Sequence, residues 1–293
     1  MKPLILPLIL SASVHAAELN PSHISPDANW WLHADLEAVR DTEIGKRVVE
    51  TIEDKQGAQL RAVKRMFSIN PVTDLAGITL YGDGGKDRAV AIIQGSFDRA
   101  HLEDLVAAAD DYSSEKKGQF TIHSWTDKEK RQHAFFAADD TLVFSHFESL
   151  LKTAMDTLGG TGMDPDPFVA AGSTAPFLVG SANLSEVEMD DDGSKLLGHA
   201  ETLKIAVAEA GDRMEGRMLI ETADPADGER FRKVMDGMIA LGQLGNAILR
   251  DADMRFEARA EDGGRRVNCT LSLPSTTMME MMEKDGAFDR IGE

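Results

Sequence analysis

The chain has 293 residues, 28% of them charged, and a formal net charge of -19. That length suits one large domain or two of ordinary size, and it buries enough surface to fold without disulfide or metal staples. The acidic excess argues against a nucleic-acid partner, which selects clustered Lys and Arg, and against an anionic membrane surface.

Lys2 precedes an apolar run over residues 3–10, and Val14-His15-Ala16 follows. A positive start, an apolar core and a small-x-small ending are the parts of a secretory signal, with cleavage expected after Ala16. The run is too short for a stable bilayer anchor. Residues 29–36 alternate as a first strand, with Trp30, Leu32, Ala34 and Leu36 on one face and Trp31, His33 and Asp35 on the other. Residues 42–68 read as helix, with Ile44, Val48, Ile52, Leu60, Val63 and Phe67 near helical spacing and Gly57 a break point. Asn70-Pro71 ends it. Strands at 78–81 and 89–94 flank Gly82-Asp83-Gly84-Gly85. Asp98 caps a helix over 98–112 whose Leu102, Leu105, Val106 and Ala109 form one face.

Residues 120–137 then alternate, turn over four polar residues and alternate again. Phe120, Ile122, Phe135 and Ala137 share an inner face with Ser124 and His133, while Trp125 and Phe136 point the other way. Such a sheet is covered on both sides. A strand at 141–145 and a helix at 147–158 follow, and the Gly- and Pro-rich stretch 159–174 reads as a linker.

Beyond the linker the order returns. Residues 175–184 resemble 28–36, Leu203, Ile205 and Val207 pair with Met218 and Ile220, and a helix covers 227–250. A second hairpin, 254–271, aligns without a gap on 120–137, placing Ile122 on Phe256 and Phe135 on Cys269. Its inner face is Met254, Phe256, Ala258, Val267, Cys269, Leu271 and Leu273, and a last helix covers 275–284. The fold class is therefore α+β: two similar halves, 17–158 and 175–293, each a mainly antiparallel sheet covered by helices, related by internal duplication.

Chemistry-bearing motifs are sparse. The Gly82 and Gly159-Gly160-Thr161-Gly162 stretches read as turn and linker, since no Gly-Lys-Ser/Thr follows either. Asp190-Asp191-Asp192-Gly193 and Asp164-Pro165-Asp166 lack the spacing of a calcium loop. The methionines Met278, Met279, Met281 and Met282 read as core filling rather than a copper site, so no metal or cofactor is expected. The lone Cys269 reads as a small buried hydrophobe. Trp31, His33 and Asp35 are the catalytic candidates, because a His-Asp pair on one strand face can move protons. The helix at 227–250 carries Gly237, Gly242 and Gly245. Glycine in a helix interior costs roughly 1 kcal/mol relative to Ala, and close approach of another backbone would offset that. Met238, Gly242, Gly245 and Leu249 form the stripe expected to meet the other half or, in a homodimer, a second molecule.

The opening strand Trp30-Trp31-Leu32-His33-Ala34-Asp35-Leu36, the signal and the repeated order resemble exported bacterial proteins of unknown function built from two weakly related α+β halves. The resemblance implies a periplasmic or secreted, non-enzymatic protein that binds a partner protein or small ligand. The alternative is a hydrolase whose site is assembled from scattered residues.

Overall fold

Among the described residues twelve short segments pair edge to edge into one antiparallel sheet. They are β1 (Trp30–Asp35), β2 (Leu75–Gly82), β3 (Val90–Gly95), β4 (Ser113–Lys117), β5 (Phe120–Asp127), β6 (Lys130–Ala138), β7 (Thr141–Ser145), β8 (Leu178–Asn183), β9 (Thr202–Ala210), β10 (Arg213–Glu221), β11 (Arg255–Glu261) and β12 (Arg266–Pro274). Their order is β11-β12-β10-β9-β8-β1-β2-β3-β7-β6-β5-β4. The computed structural model describes residues 17–172, 174–189 and 197–287. The signal-like segment and the acidic run at 190–193 lie outside the described residues.

The two stretches on either side of 159–174 are joined by β1 pairing with β8, from Trp30 opposite Ala182 to Ala34 opposite Leu178. The connecting residues are packed rather than free. They include a short helix α5 (Pro167–Ala170), and Met163, Phe168 and Val169 lie against the core.

Directly opposed residues of an antiparallel pair point to the same side, so the register sorts the whole sheet into two faces. Val267 is opposite Ile220, Ile220 opposite Leu203, Leu203 opposite Ala182 and Ala182 opposite Trp30. Leu32, two residues on, continues through Leu80, Ala91 and Phe144 to Ala134. This front face therefore carries Val267 and Ala134, and the back face carries His133.

The hairpin alignment accordingly needs correction. His133 and Val267, equated in sequence, lie on opposite faces. Counted outward from the β1–β8 centre, β12 and β11 occupy the places of β7 and β6, so β6–β7 is the positional counterpart of the second hairpin. Alternation has period two in every strand, and a one-residue slip exchanges faces, so pattern alone fits either hairpin.

The helices follow the expected periodicity with shifted ends. They are α1 (Leu36–Asp41), α2 (Glu43–Phe67), α3 (Arg99–Ala107), α4 (Glu148–Leu158), α6 (Pro225–Gly245), α7 (Ala247–Asp251) and α8 (Ser275–Lys284). Thr42 and Asp98 cap α2 and α3 through their side chains, and α2 kinks at Gln56, beside Gly57. α3 ends at Ala107 rather than running to 112. The chain then forms β4, a fully polar edge strand whose sequence, Ser-Ser-Glu-Lys-Lys, has no alternation to signal it. The helix expected over 227–250 breaks at Asn246, whose side chain caps α7.

Both faces are covered over β5–β7. Leu151, Ala154 and Met155 of α4 close the back face over Trp31, Tyr81, Val90, Ile92, Ile122, Phe135 and Val143. On the front face, Phe231 and Met235 of α6 cover Ile220, Val267, Cys269 and Phe256. Between the front-face helices lies an apolar floor of Trp30, Leu32, Ile78, Leu80, Ile93, Ile205 and Val207, all partly buried.

Since β1–β8 joins the two stretches, the chain should unfold in urea as one transition. A side chain at Gly180 would place its Cβ 2.9 Å from Leu32 Cδ1 and 3.0 Å from the Trp31 carbonyl oxygen. Gly180→Val is expected to cost about 1–3 kcal/mol through overpacking. Two separate transitions in the wild type, or an unshifted midpoint in the variant, would contradict this account.

Candidate functional site

The sequence candidates Trp31, His33 and Asp35 do share the back face of β1, but each side chain has a structural role. Trp31 is part of the back-face core. His33 is 1% exposed, and its Nδ1 lies 2.9 Å from Thr79 Oγ1. Burial lowers its pKa, against smaller opposing effects from the Ala17 backbone and the Asp35 charge. Asp35 Oδ1 accepts the Ala38 N–H at 2.8 Å and so caps α1. His33 is thus a neutral core residue and Asp35 a helix cap.

The stripe Met238, Gly242, Gly245 and Leu249 does not meet the other half. A Cβ at Gly237 or Gly245 would find nothing within 4 Å, and at Gly242 it would meet Leu249 Cδ1 of the adjoining α7 at 3.5 Å. Close backbone approach within the chain therefore does not explain these glycines. α6 instead exposes Val234, Met238, Leu241 and Leu244, the last at 80%. Gly237→Ala is expected to raise stability by about 0.5–1 kcal/mol, because the site is open and helical; thermal unfolding checks it.

Other sequence candidates resolve into structure. Asp166 caps α5 and pairs with Lys204 Nζ at 2.8 Å. Cys269 is 4% exposed, and burial, reinforced by the Asp236 charge, pushes its thiol pKa up to about 11. Among the described residues no group of three or more His, Cys, Asp or Glu is placed to hold a metal.

The arrangement best suited to a ligand lies on the front face under α3. A cavity of about 250 Å³ sits between this helix and the sheet. Leu102, Leu105 and Val106 form its roof, Trp125, Ala134, Phe136, Leu142 and Phe144 its floor, and Phe67 and Ile69 close one end from the segment after α2. Asp98 starts α3 at the right point, and its apolar face follows from the spacing of 102, 105 and 106. The opposite directions of Trp125 and Phe135 were legible in the β5–β6 alternation. The contribution of Phe67 and Ile69 was not, since it depends on where a 25-residue helix delivers its end.

The polar residues at this cavity contact one another, and His123 Nε2 is buried with no hydrogen-bond partner among the described residues. His123 is 9% exposed, its Nδ1 is 3.0 Å from Tyr112 Oη, and its ring stacks on Tyr112. Glu103 accepts a hydrogen bond from Arg99 Nε at 2.8 Å, and the same carboxylate oxygen lies 3.7 Å from His123 Nε2. Arg99 stacks over Phe136. Burial lowers the His123 pKa, Glu103 opposes this and Arg99 reinforces it. Neutral His123 thus leaves an apolar wall with no free charge.

His23, His33, His123 and His133 are all held below the ordinary histidine value, in each case chiefly by burial. In the unfolded chain they titrate near 6.5, so below that pH the unfolded state binds more protons than the folded one. The stability carried by the neutral rings is complete above 6.5 and is lost as pH falls below it. Urea midpoints should therefore drop between about pH 7.5 and 5.5, and less so in His33→Gln and His123→Gln. A flat profile would contradict these assignments.

No family model and no curated protein matches the chain. Among solved structures, crystal form III of TP0453 aligns with a TM-score of 0.53 at 9% identity, over 92% of this chain and 99% of that one. Crystal form IV aligns at 0.50 and 10% identity, over 91% and 97%. At such identity the likeness is one of fold: this sheet-and-helix arrangement, over nearly its whole length, is also that of TP0453.

Proposed function

We propose that the chain is an exported, non-enzymatic protein that binds a small apolar molecule in the cavity under α3. The observation that carries this reading is the cavity itself. It is well formed, walled by aromatic and aliphatic side chains, and larger than the roughly 150 Å³ engineered void that takes up benzene. It adjoins the partly buried apolar floor through Leu142 and Phe144, whose neighbours Ile93 and Ala91 continue the same face. Export rests on Lys2, the apolar run and Val14-His15-Ala16; mature protein beginning at Ala17 supports it, and a retained Met1 counts against it. No described helix is long and apolar enough to cross a membrane.

The neutral dye N-phenyl-1-naphthylamine tests the binding reading. It should bind one to one and quench Trp125, which lines the cavity. Ala134→Leu fills the floor and should abolish binding while leaving the fold intact. Equal binding by wild type and variant would place the dye elsewhere and overturn the assignment.

For α6 the proposal is a homodimer through Val234, Met238, Leu241 and Leu244. Leu241→Lys with Leu244→Lys should shift sedimentation to the monomer. The matching strand order outward from β1–β8 supports descent from a duplicated unit in which β6–β7 answers β11–β12.

A further inference from the structure

On the back face, away from the α3 cavity, a second cavity of about 260 Å³ lies where the β2–β3 turn, the first turns of α4 and residues 25–28 meet. Its wall mixes polar groups with apolar surface, where the first is almost wholly apolar. Tyr81 lines it, is 3% exposed, and its hydroxyl has no hydrogen-bond partner among the described residues. A buried hydroxyl left unpaired costs stability, as do the buried, unpartnered Nε2 atoms of His33 and His123; a ligand in the cavity that Tyr81 lines would supply the missing partner. Burial also raises the Tyr81 pKa, keeping the hydroxyl protonated and able both to donate and to accept.

The rest of the wall sets the chemistry of that partner. Arg88 gives Nε and Nη2 to Asp83 Oδ2, each at 2.8 Å, and stacks on Phe147. The pair is internally neutral, with Nη1 outside those two contacts. Asp83 Oδ1 accepts the Gly85 N–H at 3.2 Å. Ser25, Ser149 and Thr153 add hydroxyls. α4 begins at Phe147 without a side-chain cap, so the N–H groups of its first turn have no partner within the helix. Asp27 adds a second carboxylate, so donors and acceptors both line a site that carries excess negative charge and no unmatched cation. An anion would find no counter-charge there. A group of adjacent hydroxyls meets both kinds of partner at once. The volume lies just below the usual range for ligand pockets, about 300–1,000 Å³.

We propose that this cavity binds a neutral polyhydroxylated molecule of monosaccharide size, with the Tyr81 hydroxyl, Arg88 and Asp83 as its recognition groups. The site is independent of the α3 cavity and of the export reading.

Isothermal titration of the full chain with D-glucose, D-mannose and D-ribose tests it, with inorganic phosphate as a separate arm. At least one aldose should bind one to one. Tyr81→Phe should weaken that binding roughly tenfold, the loss of one hydrogen bond. The unfolding midpoint of the ligand-free variant should be unchanged or higher, because the hydroxyl it removes is unpaired. Ser149→Ala, at the rim, should also weaken binding. Failure of all three aldoses to bind, preferential binding of phosphate, or undiminished binding to Tyr81→Phe would each overturn the proposal.

Discussion

The pairing of β1 with β8 is the contact on which the architecture depends. It joins the stretch before residue 159 to the stretch after residue 174, and every other strand is added outward from it. The pairing is tight because Gly180 lets β8 approach the Leu32 side chain and the Trp31 backbone. Without it each stretch would present a central strand as an open edge, with a row of unpaired backbone groups. With it, one continuous ladder fixes a common front and back for residues nearly the whole chain apart.

That common frame explains why the two faces differ. The back face is closed by α4 and by the packed connection, and its core is dense around Phe135, Val143 and Leu151. Among the described residues the front face is covered at one end by α3 and at the other by α6 with Leu184, Leu197 and Ala200, and a partly buried apolar floor lies between them. A short helix over large aromatic side chains leaves a gap, and the α3 cavity is that gap. α6 is longer than the strip of sheet it covers, so the apolar side chains of its second half, up to Leu244, are left exposed.

Polar groups inside the molecule divide in the same way. His33 Nδ1 and Asp35 are hydrogen-bonded and Cys269 is buried with a raised pKa, while His33 Nε2 has no partner among the described residues. The histidines beneath the helices are kept neutral by burial, and the apolar cavity depends on this, because a charged ring at its wall would draw water in. The Tyr81 hydroxyl, like the Nε2 atoms of His33 and His123, is buried without a hydrogen-bond partner among the described residues, and the Tyr81 side chain lines the second cavity.

By itself, the sequence determined the α+β class, most strand and helix positions, the cap at Asp98, and which residues of each hairpin share a face. All of these depend on neighbours within a few positions, where alternation, helical spacing and cap chemistry act directly. The polar edge strand β4 escaped it, because a solvated edge needs no apolar alternation. Which hairpin answers which was decided only by the tertiary structure, since period-two patterns are interchangeable until a neighbouring strand sets the register. The tertiary structure likewise decided that Met163, Phe168 and Val169 pack against the core, that Phe67 and Leu142 line one cavity, and that Tyr81 lines another. Those are long-range packing outcomes, fixed by where the ends of a kinked helix and of a twelve-stranded sheet fall rather than by any local preference of the residues themselves.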